Sequence, residues 1–282
     1  MPTTRRCLAL ATLALFGLPS GVLGGQERVD LRIVATTDVH GRLLGWDYYA
    51  NAADPSRGLA RAATVVDSLR RAAPGRVILV DAGDLLQGNA MTFVAGRIDS
   101  TAPHPVIAAM NLMRYDAAAI GNHEFNYGLG VLDRATKRAR FPFLAANVER
   151  LDGGREYGAM TMVTRGGVRV AIIGATTPGA NVWDRDNLRG RLRVHDIVSA
   201  LPAQVAGARR AGADVVIVVA HSGLDGEASY DTVTTGFGGE NVMARVAREV
   251  PGIDVLVIGH SHREVADSTL NGVLVVQPKN WA

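Results

Sequence analysis

Apolar residues in this chain fall into short blocks of roughly four to eight, many of them β-branched, with amphipathic stretches between them. Residues 31–37, 77–80, 117–120, 143–147, 213–220, 254–258 and 273–276 read as strands, and residues 160–164 with 168–174 read as a hairpin closing on Gly166-Gly167. Residues 58–73 place Leu59, Ala62, Ala63, Val66 and Leu69 on one side and arginines on the other, which predicts an amphipathic helix stopped by Pro74-Gly75. Further helices are expected over 103–113, from 129 to about 140, and from 239 to 249, the last halted by Pro251-Gly252; His195 and Asp196 are read as capping another. Residues 43–57 are expected to form a long irregular loop, and the polar residues 181–193 a surface segment. Strands alternate with helices, and there is no repeat, low-complexity tract or internal linker. That pattern predicts one α/β domain over residues 26–282.

The chemistry lies where the apolar blocks end. Residues 31–37 run into Asp38-Val39-His40-Gly41, and residues two apart in extended backbone point the same way, so Asp38 and His40 can reach one ion. Residues 77–80 run into Asp81-Ala82-Gly83-Asp84, two carboxylates that could cap a helix or place one oxygen between two cations. Residues 117–120 run into Gly121-Asn122-His123-Glu124, with Asn126 close behind. The two later blocks end in His221-Ser222-Gly223 and Gly259-His260-Ser261-His262. Ligands of open α/β sheets collect outside the carboxyl ends of the strands. With only seven histidines in the chain, a pair two apart after a buried strand is poorly explained by packing. His104, flanked by Pro103 and Pro105, is instead read as opening a helix.

Asp38, His40, Asp84, Asn122, His221, His260 and His262 mix imidazole with carboxylate, which suits manganese, iron, zinc or cobalt better than calcium. The set is too large for one such ion and suits two divalent transition metals sharing a carboxylate. A pair of that kind, roughly 3.5–4 Å apart, clamps the oxygens of a displaced phosphoryl group and lowers the pKa of bound water from about 15.7 towards 7.

These motifs, D-x-H, G-D-x-x-Q-G, G-N-H-E, H-S-G and G-H-x-H, resemble the calcineurin-like metallophosphoesterases, specifically the secreted 5′-nucleotidase branch, over residues 29–282. Residues 121–129, the run Pro103-His104-Pro105-Val106 and residues 183–190 look most like the 2′,3′-cyclic-nucleotide 2′-phosphodiesterase/3′-nucleotidase group. The resemblance implies a four-layer αββα sandwich of mixed β-sheets. It also implies one ion among Asp38, His40, Asp84 and His262, a second among Asp84, Asn122, His221 and His260, and Asp84 as the bridge. It implies that His123, with Asn122 near the substrate, stabilises the transition state and protonates the leaving oxygen. Two departures favour cyclic nucleotides as substrates: many 5′-nucleotidases have aspartate at the position of Asn126, where it orients the catalytic histidine, and many have glutamine at that of His262. The same metal site would serve a 5′-nucleotidase, a UDP-sugar hydrolase or a thiosulfohydrolase. A metal-free binding protein on this fold would be marked by lost ligands, and none of the seven positions is lost. The resembling enzymes continue into a second, nucleotide-binding domain; this sequence reads either as part of a longer chain or as a one-domain variant.

Composition narrows the setting. The 282 residues are 48% hydrophobic and 20% charged, enough for a full core. Residues 1–25 combine Arg5 and Arg6, an apolar run over 7–18, the breaker Pro19-Ser20 and small residues to Gly25, the layout of a signal peptide too short to anchor in a membrane. Thr4 to Leu8 partly match a twin-arginine signal. Removing this segment takes the formal charge from +3 to +1 and removes Cys7, the only cysteine. The expected mature protein is periplasmic or secreted, free of disulfides, and without an electrostatic case for binding nucleic-acid polymers or membrane surfaces.

Overall fold

The computed structural model describes residues 28–282, so the expected signal segment and Cys7 lie outside the described residues. The first sheet holds four parallel strands in chain order: β1 (Arg32–Thr36), β2 (Val77–Asp81), β3 (Ala117–Ala119) and β4 (Phe143–Leu144). The second holds six: β5 (Met160–Arg165), β6 (Val168–Thr176), β7 (Val215–His221), β8 (Val255–Ile258), β9 (Val265–Leu270) and β10 (Val273–Gln277). Their order across the sheet is β9-β10-β8-β7-β6-β5, parallel inside and antiparallel at both edges.

Strand period fixes which side chain meets which layer. Ile78, Val80, Ala117 and Ala119 of the first sheet pack against Val170, Ile172, Ile217, Val219, Val255 and Val257 of the second. The intervening residues face helices. Leu79 and Ala118 meet α1 (Leu59–Ala72), α2 (Pro105–Met113) and α3 (Leu129–Arg138), while Val216, Val218, Leu256 and Ile258 meet α4 (Ile197–Arg210) and α5 (Met243–Glu249). The result is the expected αββα stack, with central strands apolar on both faces. Each fully buried Ile, Val or Leu contributes about 1.5–3 kcal/mol relative to exposure.

Several local expectations change. β9 was not expected, because its exposed positions carry Ala, Asp and Thr and so hide its strand pattern; Asn271 and Gly272, both at positive φ, make the two-residue turn to β10. β4 stops at Leu144, since Asn147 turns to bond the Thr176 backbone and the His195 carbonyl. The helix expected from residue 239 starts at Met243. His104 does open α2, as its N-cap, but its ring is buried with neither nitrogen hydrogen-bonded, and burial pushes its pKa down to about 4. Asp196 caps α4 by accepting from Ser199 N, whereas His195 pairs with Glu149 at 2.7 Å. Residues 181–193 are not merely surface: around the short helices Ala180–Trp183 and Arg185–Leu188 they bury Asp184 and Leu188.

Candidate metal centre

The carboxyl ends of β1, β2, β3, β7 and β8 converge. Asp38, His40 and His262 form one group and Asp84, His221 and His260 another, with the ligand-type atoms of each group within 4.8 Å of one another. Asp84 joins them: its Oδ2 lies 3.0 Å from His221 Nε2 and 3.8 Å from His40 Nε2. Asn122, at the end of β3, is buried, and its Oδ1 has no hydrogen-bond partner. Asp38, His40, Asp84, His260 and His262 all sit at positive φ (49°, 47°, 64°, 74° and 54°). That region is costly for residues with a Cβ, and such strain concentrates at functional sites.

Hydrogen bonds orient the rings. Nδ1 of His40 donates to the Gln87 carbonyl at 2.8 Å, and Nδ1 of His221 to the Ala82 carbonyl at 2.7 Å, so that both Nε2 atoms face the cluster. His260 is turned the other way, with Nε2 against Glu240 Oε1 at 2.8 Å and Nδ1 free. His262 Nε2 stands 3.2 Å from both Asp38 Oδ1 and His40 Nε2. Trp183 stacks on the His260 ring at 5.6 Å and meets Tyr230 edge-on at 5.8 Å, forming an aromatic rim.

Charge binds the cluster together. Burial pushes the Asp84 carboxyl up, but the His221, His123 and His40 imidazoles hold it well below the usual carboxylate range. Burial likewise raises Asp38, and the adjacent His262 and His221 bring it below normal. Burial lowers His221, yet Asp84 more than reverses this and raises it to about 10; burial wins at His40, whose pKa is lowered.

Glu124 has the role that sequence reasoning missed. Buried, it accepts from Gly121 N (2.6 Å), Asp84 N (2.8 Å), Leu85 N (2.6 Å) and Leu86 N (3.0 Å), tying the loop after β2 to the loop after β3. A Cβ at Gly121 would run into the Asp84 carboxylate and backbone, so only glycine allows this approach. Asp81 stays apart from the cluster. Its carboxylate accepts from Thr36 Oγ1 and Gly83 N, and burial raises its pKa well above normal. His123 projects to the rim with Nε2 3.9 Å from Asp84 Oδ2, and its Nδ1 meets Asn126 Oδ1 at 2.5 Å.

The donor set fits a pair of divalent ions. Asn122 Oδ1 is buried without a hydrogen-bond partner, and buried polar atoms are rarely left so; Asp38 Oδ1 and His221 Nε2, also buried, face only the side chains of His262 and Asp84, at 3.2 and 3.0 Å. A cation would satisfy all three and would replace the proton that Asp84 holds on His221.

The chain resembles known phosphoesterases over most of its length. The trifunctional nucleotide phosphoesterase YfkN of Bacillus subtilis (strain 168) is 36% identical to this chain over 94% of it and 20% of its own length. The 2′,3′-cyclic-nucleotide 2′-phosphodiesterase/3′-nucleotidase of Haemophilus influenzae is 36% identical over 97% of this chain and 44% of its own length. A crystal structure of the calcineurin-like phosphoesterase YfkN superposes with a TM-score of 0.80 at 34% identity, covering 89% of this chain and 81% of that one. The chain thus spans between a fifth and about half of the curated relatives it matches. No helix among the described residues is long and apolar enough to cross a membrane. The calcineurin-like phosphoesterase pattern itself runs from residue 31 to 264, through all five ligand-bearing strand ends, and on that ground the chain belongs to this family of metal-dependent phosphoesterases.

Proposed function

We propose that the chain is an exported dinuclear phosphoesterase that opens 2′,3′-cyclic nucleotides to 3′-nucleotides and then releases phosphate from these. The carrying observation is the Asp84 carboxylate set between the Asp38 group and the His221 group, with His123 facing the same carboxylate from the rim. Asp38, His40, Asp84 and His262 would hold one divalent ion; Asp84, Asn122, His221 and His260 the other. When bound, such a pair supplies Lewis acidity towards phosphoryl oxygens and acidifies water.

The protein's own groups do the rest. Water adds to phosphorus and releases a proton to solvent, the bond from phosphorus to the ribose 2′ oxygen breaks, and His123 gives its Nε2 proton to that oxygen and is reprotonated from solvent. A second water repeats the sequence with the 3′ oxygen as the leaving group and frees phosphate. Asn126 Oδ1 accepts from His123 Nδ1 and keeps Nε2 turned towards the cluster. Asn122 and His123 line the place where the phosphoryl group sits. Export with loss of residues 1–25, and residues 26–282 as the catalytic unit, belong to the same proposal.

The first test is metal analysis of the purified protein with turnover before and after chelation. Parallel assays on 2′,3′-cyclic AMP, 3′-AMP, 5′-AMP and UDP-glucose then rank the substrates; the proposal expects the first two to lead. A higher kcat/KM for 5′-AMP or UDP-glucose would assign the same site to a 5′-nucleotidase or nucleotide-sugar hydrolase.

A further inference from the structure

Asp184 lies in residues 181–193, a stretch read from the sequence as a surface segment in which no single residue had a role. Its backbone carbonyl accepts from Asn187 N and Leu188 N, starting a short helix. Its carboxylate is buried and is used differently: Oδ1 and Oδ2 each accept from Asn126 Nδ2 at 3.0 Å, and Oδ1 also accepts from Asn187 Nδ2 at 3.3 Å. A carboxylate only accepts, so the NH2 of Asn126 must face Asp184 and its oxygen must face the other way. That oxygen meets His123 Nδ1 at 2.5 Å. The ring must therefore donate from Nδ1, which directs Nε2 to the cluster.

We infer that Asp184 is a positioning residue for His123, acting through Asn126. The inference rests on the role given above to His123 as proton donor. Without the carboxylate, the Asn126 amide can turn over and present NH2 to Nδ1. His123 would then keep its neutral proton on Nε2, and the doubly protonated ring would face a donor where it needs an acceptor. Side chains that fix the tautomer and orientation of a working imidazole from behind are worth about 10–100-fold where they have been removed around metal-bound rings.

The test uses the metal-loaded protein and three variants, with metal content measured for each. Asp184→Asn should lower kcat by roughly 10–100-fold, with KM within about twofold and both metals retained. The exchange Asn126→Asp with Asp184→Asn puts the carboxylate directly on His123 and the amide behind it, and should recover kcat to within about threefold of wild type. A purely structural Asp184 would not be rescued by this exchange, so a double variant as slow as Asp184→Asn overturns the inference, as does wild-type kcat in Asp184→Asn. His123→Ala separates the two claims. If it is as fast as wild type, the proton-donor role itself fails. If it is slow while Asp184→Asn is not, only the role of Asp184 fails. Long-range 1H–15N spectra of the zinc-loaded protein give a second readout independent of turnover: wild type should show His123 protonated on Nδ1, and Asp184→Asn should admit the Nε2 form. A wild-type ring protonated only on Nε2 would overturn the inference.

Discussion

The two ligand groups are built to different standards. In the Asp84 group every member is held from behind: His221 by the Ala82 carbonyl, His260 by Glu240, and Asp84 by its backbone bond to Glu124 and by His123 N donating to its Oδ1 at 2.8 Å. In the other group Asp38 is fixed by Thr37 Oγ1 and His260 N, and His40 by Gln87, but the side chain of His262 is 44% exposed and meets only Asp38 and His40. One half is preorganised by the protein; the other depends for one of its members on what it binds. Pre-ordered ligands bind more tightly because less freedom is lost on binding, so the Asp84 group should load first and release last.

The sharpest way to break this comparison is to remove the residue common to both halves. Asp84→Asn takes a charge from both groups and leaves His221 without the carboxylate that holds its proton. Both metals should be lost, and turnover should fall by more than the ~10²–10⁴-fold expected from deleting a general acid such as His123. Metal content by mass spectrometry checks this, and a variant that still carries two ions would show that Asp84 does not join the groups.

Glu124→Gln attacks the scaffold. Gln keeps one acceptor oxygen and turns an NH2 towards amide donors that the carboxylate had satisfied. Two such donors left buried and unpaired cost about 2–6 kcal/mol together. Urea unfolding would detect this, and wild-type stability would remove Glu124 as the tie between the two loops. Glu240→Gln is milder and selective. Loss of the charged partner behind His260 should weaken metal affinity of the Asp84 group by about 10–100-fold and spare the Asp38 group. Chelator competition on the two-metal protein resolves the two affinities; an equal loss in both would mean the halves are not separately built.

How much of this was legible follows from the range over which each signal acts. Asp84, Asn122, His221 and His260 stand out because each comes directly or within a few residues after an uninterrupted apolar run (77–80, 117–120, 215–220 and 255–258), so a polar side chain there is at a strand end. Asp38 follows a run broken by Arg32 and closed by Thr36-Thr37, and its signal is the pairing with His40. Leu79 and Ala118 meeting helices while Ile78 and Ala117 meet the other sheet follows from the same apolar continuity. Glu124 did not stand out because its partners are amides of Leu85 and Leu86, about forty positions away and without a side-chain signature. Glu240 and Asp184 precede or interrupt short helices in polar stretches, where a carboxylate ordinarily caps a helix or faces water. Only the packing of residues 180–188 beside the loop after β3 gives Asp184 an amide to hold.

The smallest expected effect tests the looser half directly. His262→Gln replaces a half-exposed imidazole by a side chain of similar reach whose carbonyl oxygen can take its place, and glutamine is what the resembling 5′-nucleotidases have there. Because no buried carboxylate or carbonyl supports His262 from behind, little preorganisation is lost with it. Turnover should fall by less than about tenfold, equivalent to ~1.4 kcal/mol. The metal-binding loss should be confined to the Asp38 group, with His221 and Asp84 keeping their ion. Metal titration of this variant beside Glu240→Gln sets the two halves against each other: opposite patterns of loss are expected. If His262→Gln instead strips both ions, the exposed histidine supports the whole cluster, and the distinction between a preformed half and an assembled half has to be given up.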